Sequence, residues 1–129
     1  MGRSLDIVNR YYESWNFKKG EGLKDLVAAD VSYQGPLERA SNADEMIAMA
    51  AKYAPMHGGM RMLRQFEDGD HVCSIYELTV KTPEWTLSIP TADWIRVANG
   101  RVAEQRVFQD VREVVQKFSP PTAPGAGRP

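Results

Sequence analysis

One cysteine, two histidines and no apolar run near the length of a membrane span set the first bounds on this chain of 129 residues. A lone Cys73 cannot form an intrachain disulfide, and in an apolar, strand-like run it reads as a buried, inert thiol rather than a nucleophile. No spaced set of Cys and His suggests zinc. The roughly 20 apolar residues needed to cross a bilayer are absent, as is a secretory apolar core at the N-terminus, so a cytoplasmic protein with no membrane partner is expected. Charge of one sign is also lacking. Sixteen Lys and Arg stand against 17 Asp and Glu, and a net charge of -1 gives no global field to attract nucleic acid. No internal repeat is visible.

What is present is an ordinary globular composition, 43% hydrophobic and 26% charged, long enough for one core and too short for two. A single domain over residues 1–118 is expected, with residues 119–129 forming an extended, mobile tail, because their Pro, Gly and Ala offer almost nothing to bury. The first half reads as helical and the second as strand-rich, which predicts an α+β layer arrangement rather than alternating βαβ units. Ser4 can cap a first helix running to about residue 18, with Leu5, Val8, Tyr11, Tyr12 and Trp15 on one face. Leu23, Leu26 and Val27 predict a short second helix to about residue 29, and residues 31–34 a short strand stopped by Gly35-Pro36. Asn42 and Glu45 form a capping-box pattern for a third helix with Met46, Ile47, Ala50 and Tyr53 inward, ended by Pro55. After a flexible link at 56–59, strands are expected over 60–66, 71–81, 86–97 and 101–110, paired antiparallel in succession, with Asn99-Gly100 as the last hairpin turn.

The third of these strands carries an acid where hydrocarbon is expected. If its odd positions are buried, Leu87, Ile89, Ile95 and Val97 share a face with Asp93. Loss of water disfavours the charged form, so Asp93 is expected to be a proton carrier near neutral pH or a neutral hydrogen-bond donor. A strand-bend or solvent-facing Asp is the plain alternative. Trp94 and Arg96 alternate with it, which predicts a large aromatic on the outer sheet face and a homodimer built there. Arg106 and Asp110 share a strand face, read as a structural ion pair or dimer contact. The run Met46, Met49, Met56, Met60 and Met62 reads as adaptable core filling.

The order of elements, together with Arg10-Tyr11 and Trp15-Asn16, Ala28-Ala29-Asp30-Val31, and Asn99-Gly100-Arg101-Val102, resembles the NTF2-like fold over residues 5–115. This cone-shaped α+β barrel, with three N-terminal helices in the concave face of a bent, mainly antiparallel sheet, is shared by ketosteroid isomerases, SnoaL-like polyketide cyclases, limonene-type epoxide hydrolases and scytalone dehydratases. The resemblance implies that Asp93, in Ala92-Asp93-Trp94-Ile95-Arg96-Val97, matches the Asp that donates a hydrogen bond to the substrate oxygen in ketosteroid isomerases. It implies that Tyr11 matches the Tyr sharing that oxyanion hole. Two positions depart from the pattern. Gly35, before Pro36, stands where ketosteroid isomerases place their general base, and Val107 stands where epoxide hydrolases and SnoaL-like cyclases place an acid/base Asp. Tyr76 and Leu78 occupy the places of the epoxide hydrolase Arg and Asp.

The expected activity is that of a cofactor-independent, metal-free isomerase, cyclase or dehydratase. Its ligand would be a small, apolar, carbonyl-bearing or polyketide-like molecule, with Tyr11 and protonated Asp93 on the carbonyl oxygen. His57, whose imidazole ordinarily titrates near neutrality, or an acid/base supplied by the substrate, would replace the missing base. Trp15, Tyr33, Tyr76 and Phe108 would line the pocket, although aromatics at such spacings also serve simply as core. Two other readings stay open: a non-catalytic ligand-binding or dimerisation module, and an epoxide-opening enzyme with Asp93 as base.

Overall fold

A computed structural model describes residues 3–16 and 22–118; the expected end of the first helix at 18, the break at Gly20 and the tail at 119–129 lie outside the described residues. Helix α1 (Arg3–Asn16) is followed by α2 (Leu23–Leu26), β1 (Val27–Gln34), β2 (Arg39–Ala40) and α3 (Ala43–Tyr53). A single 3₁₀ turn then leads into β3 (His57–Asp68), β4 (His71–Lys81), β5 (Thr86–Ala98), β6 (Arg101–Gln109) and α4 (Arg112–Phe118). The six strands form one sheet in the order β2-β1-β6-β5-β4-β3. All neighbours are antiparallel except β1 and β6, the first and last long strands, which run parallel. Register shifts in the β3–β4, β1–β6 and β5–β6 pairs add residues on one side, and such bulges bend a sheet. The result is a curled α+β sheet with helices in its concave face, as the resemblance implies.

Helix α1 buries Ile7, Val8, Tyr11 and Tyr12, with Leu5 and Trp15 packed against the core, and lies across β3 to β6. It already runs at Arg3, so Ser4 is a buried residue of the first turn and not the expected cap. The second helix ends three residues early. Val27 is extended at φ -117 and ψ 150 because it joins β1 and pairs with Val102 of β6, and sheet pairing overrides the local i, i+3, i+4 spacing. At α3 Asn42 caps as expected, its Oδ1 accepting from the Glu45 amide at 2.9 Å, while the Glu45 carboxylate accepts from the amide of Ser41, one residue before the cap, at 2.7 Å. Pro55 ends this helix in the 3₁₀ turn, and His57 opens β3, so the expected flexible link at 56–59 is turn and strand.

The Asn99-Gly100 turn has φ of 54 and 76, the paired left-handed geometry of a two-residue hairpin. Strand β5 shows strict alternation: Ile89, Thr91, Asp93, Ile95 and Val97 are buried, and the residues between them are partly or fully exposed. Three smaller expectations change. Asp110 lies beyond β6 and binds Arg112, while Arg106 approaches Glu104 at 3.5 Å, so Arg106 and Asp110 do not pair. Cys73 is only partly buried, beside Trp94 and Phe66 in the register. Met46 and Met49 fill the core while Met62 is exposed.

Candidate active site

Between the helices and the concave sheet lies a cavity of about 180 Å³ with Asp93 in its wall. Strand alternation turns Asp93 inward, and the carboxyl is 1% exposed, which decides that its charged form has lost nearly all water. The same alternation brings its partners. Ser74 faces Asp93 across the β4–β5 pair, so Tyr76, two residues on, points to the same side; Val107 faces Asp93 across β5–β6, so Gln105 does likewise. From α1, Tyr12 reaches down to the same point.

Three donors converge on one carboxyl oxygen. Asp93 Oδ2 accepts from Tyr76 Oη at 2.8 Å, Tyr12 Oη at 3.0 Å and Gln105 Nε2 at 3.0 Å. Gln105 Oε1 in turn accepts from Tyr11 Oη at 2.5 Å. Asp93 Oδ1 is buried and has no hydrogen-bond partner among the described residues. Burial pushes the Asp93 carboxyl up to about 7, against the opposing pull of the hydrogen bonds from Tyr76, Tyr12 and Gln105. Burial, reinforced by the nearby carboxylate, drives the Tyr12 and Tyr76 phenols far above their ordinary range. They therefore stay protonated and serve as donors.

Of the residues expected at the site, Asp93, Tyr11, Trp15, Tyr33, Tyr76 and His57 all line this cavity. Tyr11 reaches Asp93 only through Gln105; it is the neighbouring Tyr12 that touches the carboxyl. His57 is partly buried with its ring centroid 6.0 Å from that of Trp15. Phe108 does not belong to the site: it is 58% exposed and pairs with Ala92 on the outer face, because Val107 takes the inward position. Gly35 and Val107 both line the cavity, so the two departures from the family pattern lie at the site and contribute no titratable group.

The sequence reading also missed several participants. Gln105 was within reach of it: counting back by two from an inward Val107 puts the amide on the Asp93 face. Glu38 and Tyr53, in the same wall, form a second cluster in which Glu38 Oε2 accepts from Tyr53 Oη at 2.5 Å and Lys52 Nζ at 2.9 Å. These bonds, that from Tyr53 first, hold the Glu38 carboxyl below its usual range. Helix α4 contributes Val114 and Phe118, and its signal was the i, i+3, i+4, i+7 spacing of Val111, Val114, Val115 and Phe118. Among the described residues no three His, Cys, Asp or Glu side chains gather as a metal site. Nor, among them, is any helix long and apolar enough to cross a membrane.

Solved structures with this architecture include several named for activities. A candidate SnoaL-like polyketide cyclase from Jannaschia sp. CCS1 superposes with a TM-score of 0.76 at 17% identity, covering 93% of this chain and 94% of its own. A limonene-epoxide-hydrolase-like epoxide hydrolase of Mycobacterium tuberculosis reaches 0.78 at 13% identity, covering 88% and 87%. A protein with a ketosteroid isomerase-like fold from Catenulispora acidiphila, solved with trimethylamine, reaches 0.75 at 16% identity, covering 89% and 98%. At these identities the likeness is one of fold. No curated protein matches the chain. The SnoaL-like domain model matches residues 8–105, from the first helix through Asp93 to Gln105, and the chain therefore belongs to the SnoaL-like family within the NTF2-like fold.

Proposed function

We propose that this protein is a cofactor-independent enzyme of isomerase, cyclase or dehydratase type acting on a small, largely apolar, carbonyl-bearing or polyketide-like molecule. The observation that carries the reading is the asymmetry of Asp93: three donors saturate Oδ2, while Oδ1 is buried without a hydrogen-bond partner among the described residues, in the wall of an aromatic-lined cavity. In the protonated acid, Oδ1 donates to the substrate carbonyl. As a proton leaves the adjacent carbon, the C–H pair becomes the new C=C bond and the carbonyl π pair moves to that oxygen, where the developing charge is met by the Asp93 donor, an effect of about 3 kcal/mol for one well-placed group. His57, in the same cavity wall, is the group that receives the proton.

A second reading has its own support. With no other carboxyl among the described residues bonded into the Asp93 cluster and three donors stabilising its anion, ionised Asp93 can itself be the base, for proton abstraction or epoxide opening. The pH profile separates the two, because the donor form loses activity as pH rises through about 7 and the base form gains it.

The test is incubation with a panel of cyclic ketones and epoxides in deuterated water, read by mass spectrometry for deuterium uptake or ring opening. Asp93→Asn should keep the fold and ligand binding and lower the rate about a hundredfold or more. Binding by both proteins with no turnover by either would leave a non-catalytic ligand-binding module.

We also propose a homodimer through the outer sheet face. Phe66, Ile75 and Phe108 are exposed there, at 54%, 38% and 58%, around a partly exposed Trp94 over which Arg106 lies at 5.7 Å. Aromatic and Arg anchors on one face are the composition of an interface centre.

A further inference from the structure

The amide of Gln105 has one accepting and one donating end, and both are committed. Tyr11 Oη donates to Oε1, and Nε2 donates to Asp93 Oδ2. Tyr11 and Gln105 are both buried, at 0% and 4% exposed. If the amide turned over, Oε1 would face Asp93 Oδ2 with lone pair against lone pair, unless Oδ2 carried the proton. In the observed arrangement Oδ2 accepts from three donors, which leaves no room for a fourth hydrogen. We propose that Tyr11 and Gln105 are positioning residues that keep the titrating proton of Asp93 on Oδ1, the oxygen that lacks a hydrogen-bond partner among the described residues. The proposal deepens the reading of Asp93 as the working group and rests on it.

Among the described residues no ion pair includes Asp93. The groups facing Asp93 are Tyr11 and Tyr12 from α1, Tyr33 from β1, Tyr76 from β4 and Gln105 from β6. The phenols are held neutral by burial, and among the described residues no cation pairs with Asp93. The Tyr12 and Tyr76 hydroxyls can also donate or accept, but the two ends of the Gln105 amide are sorted by a second buried bond, the one from Tyr11.

Asp93 ionisation can be read without any substrate, from its labelled carboxyl carbon by NMR and from the carbonyl stretch that Asp93→Asn abolishes. In the wild-type protein the Gln105 side-chain amide protons should titrate with the same midpoint as Asp93, and amide protons that ignore pH overturn the assignment. Gln105→Leu should raise that midpoint by about one unit, since one stabilising donor is lost. Tyr11→Phe should raise it less and split the carbonyl stretch in two, because the amide is freed to turn. An unchanged midpoint in Gln105→Leu, or a single unshifted stretch in Tyr11→Phe, overturns the proposal. None of these signals requires turnover. An inactive protein with these shifts defeats the proposed function alone, whereas a deuterating protein without them defeats only the positioning roles.

Discussion

The two faces of the sheet are made by the same strands, residue by alternate residue, yet they treat charge in opposite ways. On the convex face, charges are paired and wet: Arg61 meets Glu77 at 3.0 Å, and Arg96 meets Glu104 at 3.3 Å. Side chains at such exposure gain little from pairing, because water screens the attraction and ordering long side chains costs entropy. On the concave face the Asp93 carboxyl stands among phenols and an amide, with donors but, among the described residues, no paired cation. Its charge is thus set by pH rather than by a partner. The convex face can hold a neighbour and the concave face can hold a proton.

The comparison breaks first if stability ignores the interior carboxyl. Asp93 is raised from 3.8 to about 7 in the folded protein, so folding binds its proton more tightly. That contribution is fully present below about pH 4 and is lost as pH rises through 7, a change on the order of 4 kcal/mol. Urea unfolding across this window should show the decline in the wild type and a much flatter curve in Asp93→Asn, with the variant at least as stable at pH 8. Next in size is Trp94→Glu on the other face. It should cost the proposed dimer about 2 kcal/mol or more and halve the mass seen by light scattering at low micromolar concentration, with the cavity unaffected. A wild-type mass near 14.5 kDa would remove the dimer altogether. Smallest is Arg61→Ala, expected to change the unfolding free energy by less than about 0.5 kcal/mol, because its pair with Glu77 is exposed. A larger loss would show that the convex charges are structural after all.

Asp93 was legible in the sequence because period-two alternation places it among Ile89, Ile95 and Val97, and that needs only local information. Its partners were less so. Tyr76 and Gln105 face it through strand register, and register is fixed by bulges and turns spread over three strands. The same sensitivity explains Phe108: one step along β6 separates the cavity wall at Val107 from the outer face. Tyr11 and Tyr12 stand adjacent on one helix, and spacing alone could not say which touches the carboxyl, since both are buried and their rings lie 5.9 Å apart. The early end of α2 came from pairing with a strand 75 positions later in the chain, at Val102 opposite Val27.

The parallel pairing of β1 with β6 has a consequence for how the chain acquires its chemistry. Residues near the beginning must wait for residues near the end: Tyr12 and Asp93 are 81 positions apart, and Tyr11 and Gln105 are 94. Such distant closures are slow steps in folding, because chain entropy is lost before the contacts that reward it form. A ribosome that has released everything up to β5 has made Asp93 and the hairpins around it, but not the strand that supplies Gln105 and pairs with β1. Until β6 emerges, the carboxyl sits on an unclosed sheet without Gln105, and its hydrogen-bond cluster is complete only with the last strand.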